Sequence, residues 1–186
     1  MDAAWKNTGT IETRVFICGH CDTKVSSDMG YYENQRNLRI WLCPCGKPTF
    51  FDERGIQYPA YVYGNKISGI PSKEVEQLYE EARRCTSVSA YTAAVLSCRK
   101  LLMHIAVEKG APEGISFVQY VEYLSDKNYV PPDGKGWVDY IRQKSNEANH
   151  EIVLMKEEEA MDLINFSEML LRFVYEFPSK VTPTTS

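Results

Sequence analysis

Six cysteines punctuate the chain, and four of them fall in two close pairs, Cys18-Gly19-His20-Cys21 and, 21 residues further on, Cys43-Pro44-Cys45-Gly46. Two thiolate pairs on facing hairpin knuckles are the donor set of a tetrahedral zinc ion. Gly and Pro beside the sulfurs supply the tight turns that aim backbone N–H groups at them. The second pair is one residue shorter than the usual spacing. Cys43 and Cys45 therefore reach a common metal through a tighter loop, and His20 and Asp22 stand close by as substitute ligands for Cys45. Four cysteine ligands leave no open coordination position, so the expectation is structural zinc on Cys18, Cys21, Cys43 and Cys45, with no catalytic part. Cys85 and Cys98 lie in helix-forming sequence without a partner at ligand spacing and read as small apolar core residues.

A second constellation lies in the segment Trp137 to His150, where Arg142, Asn146 and His150 recur at i, i+4 and i+8. On a continuous helix these positions share one side, drifting by about 40° per step. Arginine grips phosphate bidentately, histidine exchanges protons near neutral pH, and asparagine can orient either partner. Those are the components of a metal-free phosphodiester cleavage. A solvated helix face or a helix cap looks the same in sequence, so the spacing leaves both readings open. His104, alone in a long helix, reads as structural or exposed.

The elements that must position these groups change character near residue 70. Before it, short β-type runs such as Arg14–Ile17 and Leu38–Leu42 alternate with turn residues. After it the period is helical. Ser72 is placed to cap a first helix, with Glu74 and Glu76 near its positive end. A long helix spans about Ser89 to Lys109, and Ser116 with Gln119 forms a capping box for a third. A fourth helix carries Trp137, Tyr140 and Ile141, and a fifth runs from about Lys156 to Glu176, ended by Pro178. The expected fold is mainly α: an N-terminal β zinc ribbon with an aromatic-rich linker over 1–70, a bundle of about five helices over 71–178, and a flexible tail over 179–186.

The bulk composition bounds the partners. The net charge is −4 over 186 residues. It is divided unevenly, with 8 Lys/Arg against 7 Asp/Glu in residues 1–70 and 13 against 18 in the remainder. The acidic helical half argues against a broad nucleic-acid footprint, so any such contact is local. Neither a membrane-spanning run nor a secretory leader pattern is visible, which sets the expectation of a cytoplasmic protein with no membrane partner.

Several stretches together resemble a known prokaryotic family. They are the cysteine pairs with Gly46-Lys47-Pro48-Thr49-Phe50, then Leu78-Tyr79-Glu80-Glu81-Ala82-Arg83, Ala90-Tyr91-Thr92-Ala93-Ala94-Val95-Leu96, and Asn146-Glu147-Ala148-Asn149-His150. Over about residues 14–177 they resemble the domain of unknown function 4145 family. The helical part is similar to the HEPN (higher eukaryotes and prokaryotes nucleotide-binding) superfamily. This resemblance implies a helical bundle, commonly a homodimer, of prokaryotic or phage origin. It also implies an RNA-related role, RNA binding or metal-independent RNA cleavage by a nuclease, in defence or toxin–antitoxin systems. The superfamily's signature is an arginine followed by a polar residue, with four to six residues in all between the arginine and a histidine, and Gln143 fits the polar position after Arg142. Here seven residues separate Arg142 from His150, closer to the family's own Arg-x-x-Gly-Asn-x-Ala-x-His with Ser145 in place of Gly. Arg142, Asn146 and His150 are the residues that carry across. The alternatives are a non-catalytic dimeric interaction module that binds a partner protein, and a subunit of a larger defence or restriction complex, with zinc purely structural in either.

Overall fold

The computed structural model describes residues 8–33, 38–131, 134–146 and 154–181. The chain divides into two compact units, one of Met1–Tyr63 with Arg84–Ala90 and one of Gly64–Arg83 with Tyr91–Ser186. The expectation of a mainly α protein, with β structure confined to a zinc ribbon, does not hold. Among the described residues 47% are helical and 19% lie in strands, and the N-terminal region is a five-stranded antiparallel sheet, so the fold is a mixed one of sheet and helices.

The sheet is a meander of β1 (Gly9–Ile17), β2 (Lys24–Glu33), β3 (Leu38–Leu42), β4 (Pro48–Phe51) and β5 (Gln57–Tyr58), each strand paired with the next. On β1 the side chains alternate as a half-buried strand requires, with Phe16 buried and Val15 and Ile17 exposed. The inner face gathers Phe16 and Trp41 with Cys18 and Cys43, and Ile11, Val25 and Phe51 pack against them. Phe51 meets Phe16 and Trp41 edge to face at 5.8 and 5.4 Å, a geometry favoured by the ring quadrupoles. Buried Ser27 donates to the Leu42 carbonyl at 2.6 Å, and the Trp41 indole N–H donates to the Glu12 carbonyl at 2.9 Å.

The sheet also curls. Gln57, on the β5 edge, donates through Nε2 to the Ile17 carbonyl at the end of β1, the opposite edge, at 2.8 Å. Residues 84–90 complete this unit: the Ala60 amide donates to the Ser87 carbonyl and the Tyr63 amide to the Thr86 hydroxyl.

The second unit contains most of α1 (Lys73–Thr86), and all of α2 (Tyr91–Glu108), α3 (Phe117–Asp126), α4 (Lys135–Asn146) and α5 (Glu157–Leu171). Ser72 caps α1 by accepting from the Val75 amide, and Ser116 and Gln119 form the reciprocal capping box on α3. Helix α2 is apolar around much of its circumference, with Ala94, Val95, Cys98, Leu101, Leu102, Ile105 and Ala106 buried, so it takes the central place against α3 and α5. The last helix does not stop at Pro178. A π-helical turn, Arg172–Glu176, leads into α6 (Phe177–Lys180). Pro178 falls in the first turn of α6, where its missing N–H costs little.

The irregular segment Gly64–Ser68 is fastened by a polar network. Arg83 is fully buried and donates to Glu80 at 2.8 Å and to the Gly64 carbonyl at 2.6 Å. Asn65 donates from its backbone and side chain to the two oxygens of Glu168 at 2.8 and 3.0 Å, and Ser68 donates to Glu176 at 2.8 Å. Arg172 bridges Glu168 and Glu176, which lie four residues to either side of it.

Candidate metal centre

An antiparallel meander reverses at every connection, so its first and third connections lie at the same end of the sheet. Those two connections carry Cys18 and Cys21, between β1 and β2, and Cys43 and Cys45, between β3 and β4. With the sheet curled, their four sulfurs lie within 4.8 Å of one another. Cys18 Sγ faces Cys45 Sγ at 3.9 Å and Cys21 Sγ faces Cys43 Sγ at 3.6 Å. A tetrahedron with Zn–S bonds of about 2.3 Å has sulfurs about 3.8 Å apart, so the four thiols already stand where one zinc ion would hold them. Among the described residues this is the one group of three or more cysteine, histidine or acidic side chains arranged to hold a metal ion. None of the four cysteines is in a disulfide.

The two knuckles are variants of one loop. Each closes when its first cysteine amide donates across the turn, Cys18 to the Thr23 carbonyl and Cys43 to the Lys47 carbonyl, both at 3.0 Å. The second loop is one residue shorter, as its spacing in the sequence demands. In each, the residue after the second cysteine takes a left-handed conformation: Asp22 at φ 58° and Gly46 at φ 79°. In each, a following amide points at the first sulfur, His20 N–H at Cys18 Sγ (3.4 Å) and Cys45 N–H at Cys43 Sγ (3.5 Å). Such N–H···S contacts offset thiolate charge. Gly19 is required for another reason: a Cβ there would sit 2.2 Å from the Ala60 carbonyl oxygen.

Cys45 thus completes the cluster, and neither proposed substitute enters it. Asp22 forms the turn, and the His20 ring pairs through Nε2 with the Pro48 carbonyl at 3.2 Å. The sulfurs range from buried (Cys18, Cys43) through half-buried (Cys21) to exposed (Cys45).

Their acidities show the strain of packing four thiols together. Burial pushes Cys21 up, but hydrogen bonds from Thr23 and the three other sulfurs outweigh it and bring the thiol down to about 7. Cys43 and Cys45 are held above the ordinary thiol range, by burial foremost. The Cys21 thiolate forms easily, and Cys43 and Cys45 resist ionising beside it. A divalent cation at the centre reverses that repulsion, since thiols that coordinate it give up their protons.

The other predicted site residues divide. Arg142 and Asn146 lie one turn apart on α4, and His150 lies outside the described residues. His104 is exposed on α2, Cys98 is buried in the same helix, and Cys85 is half-buried in α1. Arg14 on β1 was not singled out by sequence reasoning, yet its guanidinium sits 3.7 Å above the Phe51 ring centre. Its signal was faint, a lone cation inside a β-type run. No helix among the described residues is long and apolar enough to cross a membrane.

A family model described as "Domain of unknown function (DUF4145)" matches residues 80–185, more than half of the chain, and the chain belongs to that family. The matched stretch begins inside α1 and leaves out the cysteine-bearing sheet, a narrower span than the motifs of the sequence trace. No curated protein and no solved structure matches the chain.

Proposed function

We propose that this member of the DUF4145 family is a zinc-containing protein whose sheet unit is stabilised by the metal and whose helical unit carries an RNA-related role, in binding or in metal-independent cleavage. The convergence of the four cysteine sulfurs at tetrahedral spacing carries the zinc half of this reading. All four positions of such a site are filled by thiolates, so the ion supplies folding energy and no Lewis-acid chemistry.

The RNA half is supported by family membership over α1 to the C-terminus, by the similarity of that region to HEPN domains, and by Arg142 and Asn146 one turn apart on α4. In a cleaving protein Arg142 binds the scissile phosphate while His150 takes the proton of the attacking 2′-hydroxyl or returns one to the leaving 5′-oxygen. The phosphorus–5′-oxygen bond breaks as the 2′-oxygen bond forms, and Asn146 positions the hydroxyl or the imidazole. The test is incubation of wild type and His150→Ala with a mixed RNA pool in EDTA. Cleavage by the wild type alone supports catalysis, and no cleavage, or equal cleavage by both, refutes it.

One observation favours a second reading, a non-catalytic interaction module that pairs with itself or with a protein of a defence complex. The chain beyond residue 70 carries 13 basic against 18 acidic residues, which repels a polyanion outside a local contact. Sedimentation of the protein alone and with RNA separates the two: a dimer that ignores RNA at low salt favours the module.

A further inference from the structure

Away from the thiols, at the opposite end of β3 and β4, the sheet unit holds a pocket of about 350 Å³. Its apolar part is Leu38, Trp41 and Phe51, and its charged part is two arginines and three carboxylates. Most of those charges are already engaged. Glu12 pairs with Arg39 at 3.5 Å. Both oxygens of Asp52 accept hydrogen bonds, from the Arg54 and Ile56 amides and from the Arg54 guanidinium.

Two groups are left, of opposite character. The half-buried Arg14 guanidinium lies 3.7 Å above Phe51 and 5.0 Å from the Trp41 ring centre, and among the described residues it has no hydrogen-bond or ion-pair partner. Glu53 is exposed at the rim and likewise has none among the described residues. An arginine stacked on a ring keeps its in-plane N–H edge for a bidentate acceptor and its outer face for a second planar group. Glu53 offers the complement, an acceptor without a donor.

The pocket's formal balance of one negative charge disfavours a phosphate-rich ligand, and its unsatisfied donors and acceptor call for a flat ring with acceptors on one edge and N–H donors on another. We propose that this pocket binds a guanine-type base, with Arg14 donating to the carbonyl and ring-nitrogen edge and Glu53 accepting from the amino edge. Arginine to the O6/N7 edge of guanine is a common specific contact, and each good bidentate pair discriminates by about 1–3 kcal/mol. The site stands on the sheet unit alone and does not depend on the RNA reading of the helical unit.

The test is calorimetric titration of the full chain with guanosine, inosine, which lacks the 2-amino group, and 7-deazaguanosine, which lacks the ring-nitrogen acceptor. The wild type is expected to bind guanosine at least about tenfold more tightly than either analogue. Arg14→Gln should abolish binding. Because Arg14 also packs on the core, the exposed Glu53→Gln is the second variant, and it should lose the preference over inosine while keeping the fold by circular dichroism. A wild type that binds no guanosine, that binds all three nucleosides equally, or whose preference over inosine survives Glu53→Gln overturns the proposal. Nucleosides contain no phosphodiester, so a failure here is separate from any failure of the RNA-cleavage reading.

Discussion

The two units solve the same problem, hiding enough apolar surface to stay folded, with different means. The helical unit surrounds α2 with a continuous core in which Leu101, Leu102, Ile105, Leu124, Ile164, Phe166, Leu170 and Leu171 are completely buried. The sheet unit buries few large apolar side chains, Phe16, Trp41, Leu42 and Val62 among them, and its core cluster sets Phe16 and Trp41 against two of the four clustered thiols, Cys18 and Cys43. Small units with thin cores generally need a metal or disulfides to fold. Here two of the four thiols, Cys18 and Cys43, stand inside the core, so on the proposed zinc reading metal binding and core formation in the sheet unit are one event, whereas the helical unit needs no such support.

That contrast breaks first, and most, on removing the ion. Structural zinc contributes apparent folding free energies of roughly 10–16 kcal/mol in small domains at neutral pH. A strong chelator, or Cys18→Ser, is expected to unfold the sheet unit while the helical signal in circular dichroism persists. The Trp41 indole proton, held by the Glu12 carbonyl, is a local NMR probe of the sheet and should lose its dispersed resonance. Loss of both units together would show that the units do not differ as described.

The converse perturbation is a core truncation in the helical unit. Phe166→Ala removes a fully buried ring that also packs against Trp137, and is expected to cost about 3–5 kcal/mol, read by chemical denaturation, without releasing zinc.

Acid should act on the helical unit through its carboxylate network. Hydrogen bonding to Ser68 and Lys180, with the nearby Arg172, holds the Glu176 carboxyl down at about 2 against an ordinary 4.5. Its stabilising effect is fully present above the ordinary value and is lost as pH falls through about 2. Glu176→Gln is expected to flatten the acid limb of a melting-temperature profile below about pH 4.5.

The smallest effect sharpens the account of the sheet. Thr49 on β4 is fully buried and its hydroxyl oxygen has no hydrogen-bond partner among the described residues. An unsatisfied buried hydroxyl costs about 1–3 kcal/mol, so the isosteric Thr49→Val is expected to stabilise the sheet by about 1 kcal/mol in denaturant titration.

What was legible in the sequence follows the same division. The helices announced themselves through local chemistry: Ser72 and the Ser116–Gln119 box cap where they were expected to, and the apolar positions of α2 recur at helical spacing. Cysteine spacing alone picked out the four sulfurs that converge. The extent of the sheet was hidden because β2 reads Lys-Val-Ser-Ser-Asp-Met-Gly-Tyr-Tyr-Glu, in which the buried positions are the small residues Ser27 and Gly30 and no apolar alternation survives. Its signal is non-local. Gly30 must be small because a Cβ would lie 1.9 Å from the Ile40 carbonyl oxygen, a fact of pairing with β3 that no window of β2 contains. Arg14 and Glu53 were invisible as a pair for the same reason, being brought to one pocket only by strand register and curl.

The central claim, that four cysteines at the end of the meander form one closed tetrathiolate zinc site, is tested most directly by metal content together with cobalt substitution. One zinc per chain is expected, with a cobalt(II) derivative showing the absorption of a tetrahedral all-sulfur site, and loss of both in Cys18→Ser and Cys43→Ser. Protein that folds its sheet without bound metal, or whose cobalt spectrum reports nitrogen or oxygen ligands in place of a sulfur, would contradict it.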